Sequence, residues 1–230
     1  MSLDALVLAG GLGTRLAPTI GSLPKGLAPI RGRPFLDILL EYLMHEGVRR
    51  VVLGIGHGRD AIKERYARFP GLRIAFSEEM EPLGTGGAIL NARGVIASDP
   101  FLVLNGDSLC RVDLNTLLRF HVEKHAKATL TLSPASERAD VGRVVVDAKQ
   151  RVQRFDEKGS APADRAWTNA GVYVLAKGLF ANMKPEACSL ERDLIPTWVA
   201  ENKCFGFLTE EPVIDIGTPE RYGKAQGGIL

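Results

Sequence analysis

Along the first half of the chain, short apolar runs alternate with longer stretches whose apolar residues recur every three or four positions. "DALVLAGG", "VRRVVLGIG", "LRIAFSEE" and "PFLVLNGDS" are nearly continuous apolar runs ending in glycine or polar residues, which predicts buried strands. Between them, "PFLDILLEYLMHEG", "RDAIKERYARF", "TGGAILNARGVI" and "LNTLLRFHVEKH" carry helical spacing. The first of these opens at Pro34, closes at Gly47 and places Phe35, Leu36, Leu39, Leu40 and Leu43 on one apolar face. Apolar strands separated by helices predict a largely parallel sheet covered on both sides.

The rhythm changes after His125. "KATLTLSPA", "GRVVVDAKQRVQRFDEKG" and "WTNAGVYVL" read as strands, the second turning near Asp147–Gln150. "SLERDLIPTWVAE" reads as a helix, "CFGFLTEEPVIDIG" as strands, and "TPERYGKAQ" as a closing helix with Thr218 as N-cap and Pro219 at its first position. With no repeat, low-complexity tract or linker, the pattern predicts one α/β domain over residues 1–230, its second half folded back on the first. Ligands of open α/β sheets sit beyond the carboxyl ends of the strands. The polar breaks "AGGLGTR", "NGD", "NAG" and "DIG" fall at such ends and converge on one cleft.

Composition narrows the partners more than the fold. The 230 residues carry 29 basic against 27 acidic side chains, a net charge of +2, with no basic or aromatic-interleaved run, which argues against a nucleic-acid binder. No apolar run approaches the roughly 20 residues that span a bilayer. "MSLDALVLAGG" lacks the basic segment and cleavage site of a signal peptide, so no membrane partner is expected. Cys110, Cys188 and Cys204 are odd in number and widely spaced, which predicts reduced thiols and a cytoplasmic chain.

The glycine-rich loop after the first strand fails both common phosphate-loop patterns. The dinucleotide fingerprint needs a third glycine where Leu16 stands, and the P-loop needs Gly-Lys-Ser/Thr where this chain has Lys25–Gly26. Its glycines still let backbone N–H groups point at anionic oxygens. Arg15 adds a bidentate fork and Lys25, flanked by Pro24 and Pro29, a second cation, so a phosphate site is expected. Asp107 and Asp215 each follow an apolar run, "FLVLN" and "PVI", and magnesium favours a couple of carboxylates beside water and phosphate oxygens.

The string "LAGGLGTRLAPTIGSLPKGLAPIRGRPFLD" resembles the N-terminal signature of the sugar-1-phosphate nucleotidyltransferases. "EPLGTGGAI", "VLNGD", "VGRVVVD", "FDEKG", "NAGVYV" and "VIDIGTPERY" continue the resemblance in family order over nearly the whole chain. One departure is Gly26, where the family commonly has proline; it leaves the charge of Lys25 but loosens its loop. The resemblance implies the nucleotide-diphospho-sugar transferase fold, a Rossmann-like three-layer α/β/α sandwich with a mixed, mostly parallel sheet. It also implies a reaction that joins a nucleoside triphosphate to a sugar 1-phosphate and releases pyrophosphate. Within the family the chain looks like the mannose-type guanylyltransferase branch, which implies GTP as donor and a manno-heptose 1-phosphate as acceptor. Mannose 1-phosphate, and uridylyl transfer to an amino-sugar 1-phosphate, are the alternatives.

The same resemblance distributes roles. Residues 1–125 mainly bind nucleotide and residues 126–230 mainly sugar phosphate. Ala9, Gly10, Gly11, Gly84 and Thr85 flank the base and ribose, with Glu81 as a weaker base contact. Gly13, Thr14, Arg15 and Lys25 hold the triphosphate. Asp107 and Asp215 hold Mg²⁺ and, with Arg15 and Lys25, form the catalytic set. Gly142, Glu157, Lys158 and Asn169 take the sugar phosphate. The acceptor's phosphate has a second pKa of about 6, so it arrives deprotonated and needs no general base. Accordingly, the sequence offers no Ser-His-Asp or Cys-His constellation.

The remaining polar residues are expected to be bland. Asp37, Asp113 and Asp193 read as turn or helix-surface acids. His121 and His125, one helical turn apart without a third ligand, read as surface residues, as do His45 and His57. Trp167 and Trp198 read as core or interface anchors; the helix bearing Trp198 either completes the core or forms a dimer contact, so monomer and homo-oligomer both remain open. Two other function classes are weaker. A non-catalytic nucleotide-binding regulator is opposed by the presence of Arg15, Lys25, Asp107 and Asp215 together, and a nicotinamide oxidoreductase by the missing third glycine.

Overall fold

The structure, a computed structural model, describes residues 3–135, 141–157 and 166–229; Lys158 lies outside them. Strand β1 (Asp4–Leu8) leads through a four-residue helix α1 (Ala17–Ile20) and a small hairpin, β2 (Pro29–Ile30) and β3 (Arg33–Pro34), into α2 (Phe35–His45). Then follow β4 (Arg50–Ile55), α3 (Arg59–Tyr66), β5 (Arg73–Glu78), α4 (Gly84–Ala92) and β6 (Phe101–Asn105). The long strands of this half lie in the order β5-β4-β1-β6, every pair parallel.

The second half adds β7 (Ser108–Leu109), α5 (Leu114–Glu123), β8 (Ala128–Ser133), β9 (Arg143–Val146), β10 (Val152–Asp156) and β11 (Trp167–Leu175). It ends with α6 (Ile195–Ala200), β12 (Cys204–Leu208), β13 (Ile214–Asp215) and α7 (Pro219–Lys224). Long β11 runs antiparallel to β6 and β8 and carries the sheet out to β9–β10 on one branch and β12 on the other. Among the described residues the sheet has nine strands and draws on both halves of the chain, with its parallel centre in the first.

Alternation of side chains across each strand explains the layers. Val7, Val51, Leu53, Leu102 and Leu104 face one core, which takes the Phe35–Leu43 face of α2 and Leu114 and Leu117 of α5. Leu6, Val52 and Val103 face the other, which takes Ile89 and Leu90 of α4 and Trp198 of α6. Trp198 is 4% exposed and edge-on to Phe180, with ring centroids 5.5 Å apart, so its helix completes the core. Among the described residues, no helix is long and apolar enough to cross a membrane.

Two expectations need correction. The "SLERDLIPTWVAE" segment is not one α-helix: a π-helical turn, Leu190–Leu194, precedes α6. Pro196 has no N–H for the Arg192 carbonyl, and the preceding turn widens so that Leu194 N–H reaches the Ser189 carbonyl at 3.3 Å. His121 is not on the surface. It sits with Leu114 and Leu117 on the inner face of α5, 4% exposed, with Nδ1 2.8 Å from Thr129 Oγ1.

Burial pushes the His121 imidazole down to about 4 from its ordinary 6.5. The unfolded chain takes up a proton near pH 6.5 that the folded chain refuses until about pH 4. Stability from this residue is therefore present above pH 6.5 and lost as pH falls through that window, by up to about 3 kcal/mol. His121→Gln is expected to flatten the decline in urea midpoint between pH 7 and pH 4.5; identical declines in the two chains would contradict the assignment.

Candidate functional site

The polar ends of β1, β6 and β13 meet in one cleft made of two cavities. A cavity of about 460 Å³ is lined by Ala9, Gly10, Gly11, Gly13, Thr14, Arg15, Lys25, Gly84, Thr85 and Asp107, together with Glu79. A second, of about 920 Å³, is lined by Gly142, Glu157, Asn169, Glu191, Asp215 and Arg221. Arg15, Asn105 and Asp107 line both, so the two spaces join there. All the described residues expected at the site line one cavity or the other, except Glu81.

On the first side, the loop leaving β1 supplies bare backbone. Among the described residues, no backbone N–H from Gly10 to Thr14 donates to another protein group. Gly13 has φ +63°, and its carbonyl accepts the N–H groups of Leu16 and Ala17, which turns the loop toward the cavity. Successive unpaired N–H groups in such a turn make a concave anion site. By contrast, the N–H groups of Gly86 and Gly87 at the start of α4 already donate to the Cys188 carbonyl, at 2.9 and 3.1 Å. Those two N–H groups of the helix terminus are taken by protein, whereas the N–H groups of the β1 loop are open to the cavity.

Glu81 is exposed and stays out of the cavity, whereas Glu79 is 9% exposed and lines it. Glu79 Oε2 accepts the Leu83 N–H at 3.1 Å, and Oε1 sits so close to Gly10 that a Cβ there would lie 2.5 Å away. Burial raises its carboxyl above the usual range. The pleat carries the signal for this residue. Ser77 is buried, Glu78 exposed and Glu79 buried again, so the end of β5 turns Glu79 inward, whereas Met80 and Glu81 beyond it are both exposed.

At the junction, two aspartates face two cations. β7 and β13 pair with Asp215 opposite Ser108, the Ile216 N–H donates to the Asp107 carbonyl at 3.0 Å, and both acids line the second cavity. Lys25 Nζ donates to Asp107 Oδ2 at 2.5 Å. Arg221 Nη1 donates to Asp215 Oδ2 at 3.0 Å, and the Gly217 N–H to Oδ1 at 2.5 Å. Lys25, Asp215 and Arg221 all crowd Gly217, where a Cβ would lie within 3.5 Å of each. Lys25 stands in a tight 3-10 turn behind Pro24, so its backbone is fixed despite Gly26. Arg221 was not singled out by sequence; it occupies the first turn of α7, whose Thr218 cap points it back at Asp215.

In the second cavity, the Gly142 carbonyl takes the Asn169 N–H at 2.8 Å, and Asn169 Nδ2 donates to the Tyr173 hydroxyl at 2.7 Å. Glu157 meets Arg192 at 3.3 Å. Asp113 caps α5 by accepting the Thr116 N–H at 2.8 Å, and Asp37 holds Arg65 and Tyr66, which fits their reading as structural acids. Cys110 and Cys204 are buried free thiols pushed up to about 12 by burial, and Cys188 is a half-buried free thiol.

A doubly covered α/β sheet, with a glycine loop of open N–H groups after its first strand and two aspartates lining the cleft at the strand ends, is an architecture that suits a nucleotide-handling protein. Residues 4–230 match the nucleotidyl transferase family, and the chain belongs to it. It is 37% identical over 226 residues to a D-glycero-alpha-D-manno-heptose 1-phosphate guanylyltransferase of Aneurinibacillus thermoaerophilus, covering 97% of each chain. It is 35% identical over 233 residues to a mannose-1-phosphate guanylyltransferase of Mycobacterium tuberculosis, covering 99% of this chain and 64% of that one. Among solved structures, HddC from Yersinia pseudotuberculosis superposes with a TM-score of 0.84 at 33% identity over 98% of both chains. A second structure of that protein is complexed with GMP-PN.

Proposed function

We propose that this chain transfers a guanylyl group from GTP to a sugar 1-phosphate and releases pyrophosphate, with manno-heptose 1-phosphate as the first acceptor to test. The observation that carries this reading is the junction of the cleft, where Arg15, Asn105 and Asp107 line at once the cavity under the glycine loop and the polar second cavity. An oxygen of the acceptor phosphate forms a bond to the α-phosphorus, the α–β bridging bond breaks, and its electron pair leaves on pyrophosphate. The nucleophile is already an anion, so the protein's task is positioning and charge neutralisation. The β1 loop holds the phosphates by backbone, Arg15 faces the phosphorus under attack, and Lys25 and Arg221 bring positive charge to each side.

Asp107 and Asp215 would hold Mg²⁺. Both line the second cavity, and among the described residues no cage of three or more His, Cys, Asp or Glu forms. Two carboxylates beside substrate phosphates is the usual magnesium donor set. A bound Mg²⁺ supplies neutralisation of phosphate oxygens. The same two carboxylates accept hydrogen bonds from Lys25 and Arg221. The free thiols and the lack of a membrane-spanning helix among the described residues accord with a cytoplasmic location.

Glu79 supports the choice of guanine. Ionised, it only accepts hydrogen bonds, and guanine presents adjacent N1–H and N2–H donors where uracil presents one N–H between two carbonyls. Glu79→Gln is expected to lower kcat/KM with GTP roughly tenfold to a hundredfold, the scale of a hydrogen bond to a charged group. Its preference for GTP over UTP should narrow by a similar factor. An equal loss with both nucleotides would make Glu79 a brace for the Gly10 loop instead of a reader of the base. Mannose 1-phosphate is the second acceptor, favoured by the likeness to the mycobacterial enzyme.

A further inference from the structure

We infer that Glu191 is a specificity residue of the acceptor subsite, its carboxylate accepting a hydrogen bond from a hydroxyl of the bound sugar; this rests on the reaction proposed above. Glu191 stands on the π-helical turn before α6, half-buried, and lines the acceptor cavity with Asn169 and Glu157. Three elements converge on it. Thr85 Oγ1 donates to Oε2 at 2.6 Å and Ser189 Oγ at 3.2 Å. Both hydroxyls are themselves acceptors of backbone N–H groups, from Leu190 at 2.8 Å and Arg192 at 3.1 Å. Each has one hydrogen, and in both cases it is directed at Glu191.

The other oxygen is less engaged. Oε1 lies 3.4 Å from the Tyr173 hydroxyl, at the outer limit of a hydrogen bond. That hydroxyl accepts from Asn169 Nδ2 at 2.7 Å, so the order Asn169 to Tyr173 to Glu191 fixes which group donates. Burial and the Glu191 charge hold Tyr173 well above its ordinary value, so it remains a donor at any working pH. A carboxylate has about four lone-pair sites. Among the described residues Oε2 has two donors and Oε1 one long contact, so Oε1 keeps acceptor capacity beside the cavity.

The ligand class follows from charge. A carboxylate repels phosphate and takes a hydrogen bond from a neutral hydroxyl, so Glu191 suits the sugar end of a sugar phosphate. The phosphate end is then directed to Arg15, Lys25 and Arg221. Because Thr85 also lines the donor cavity, the same carboxylate is braced from the nucleotide side.

The test is steady-state kinetics of Glu191→Ala and Glu191→Gln with GTP, the accepted sugar 1-phosphate and analogues of it that each lack one hydroxyl. Glu191→Ala should raise KM for the sugar phosphate roughly tenfold to a hundredfold while leaving KM for GTP within about twofold. For one analogue the penalty seen with the parent chain should disappear in the variant, because the hydroxyl and the carboxylate are partners. Should Glu191→Ala fail to fold, Glu191→Gln preserves the shape, and the same single non-additive analogue is expected. Penalties that add for every analogue, or a KM for GTP that rises in step, would reduce Glu191 to a structural brace and overturn the inference. A parent chain that turns over no sugar 1-phosphate would remove the underlying reaction as well.

Discussion

Asp107→Ala is expected to lower turnover about a thousandfold or more, the scale reported for loss of charge stabilisation in phosphoryl transfer, while the chain stays folded. Two effects act at one point. The substitution strips Lys25 of the carboxylate that holds its ammonium at 2.5 Å, and it removes one of the two acids that line the second cavity. Folding should be nearly indifferent. The Asp107 side chain is 36% exposed, and pairs of that kind contribute about 0–1 kcal/mol. Asp107→Asn keeps the shape without the charge and should fail similarly. Circular dichroism and thermal melting separate loss of fold from loss of chemistry, and undiminished pyrophosphate release by a folded Asp107→Ala chain would refute the assignment.

Arg15→Ala should lower kcat at least about a hundredfold. Arg15 lines both cavities, and a guanidinium there meets the phosphate whose charge redistributes during transfer. Arg15→Lys should recover only part of the loss, since an ammonium is a point charge without the planar fork. The split between constants decides its role: if kcat holds and only KM for the nucleotide rises, Arg15 binds the ground state and does not favour the transition state.

The parallel half of the fold was legible because its strands are apolar on both faces and its helices carry unbroken spacing. The site was legible where a residue type announces its chemistry, as with Arg15, Lys25, Asp107 and Asp215. Three features were harder. The approach of the two aspartates to one cavity runs through two-residue strands, too short to show any period. Glu79 rather than Glu81 depends on which way one position faces past the end of β5. Glu191 and Arg221 sit at helix starts, where a sequence pattern shows a cap or a charge and the side chain's target is set by tertiary packing. His121 was a different kind of miss: its spacing from Leu114 and Leu117 already placed it on the inner face of α5, but a histidine there reads as polar.

Pyrophosphate release by the parent chain tests the central claim most directly. Each of four nucleoside triphosphates should be assayed against a panel of sugar 1-phosphates, with and without Mg²⁺. The account predicts Mg²⁺-dependent release with GTP, fastest with manno-heptose 1-phosphate or mannose 1-phosphate, and a GDP-sugar product in equal amount. No release with any pair, in a chain that still binds GTP, would contradict it and leave a nucleotide-binding protein without transfer activity.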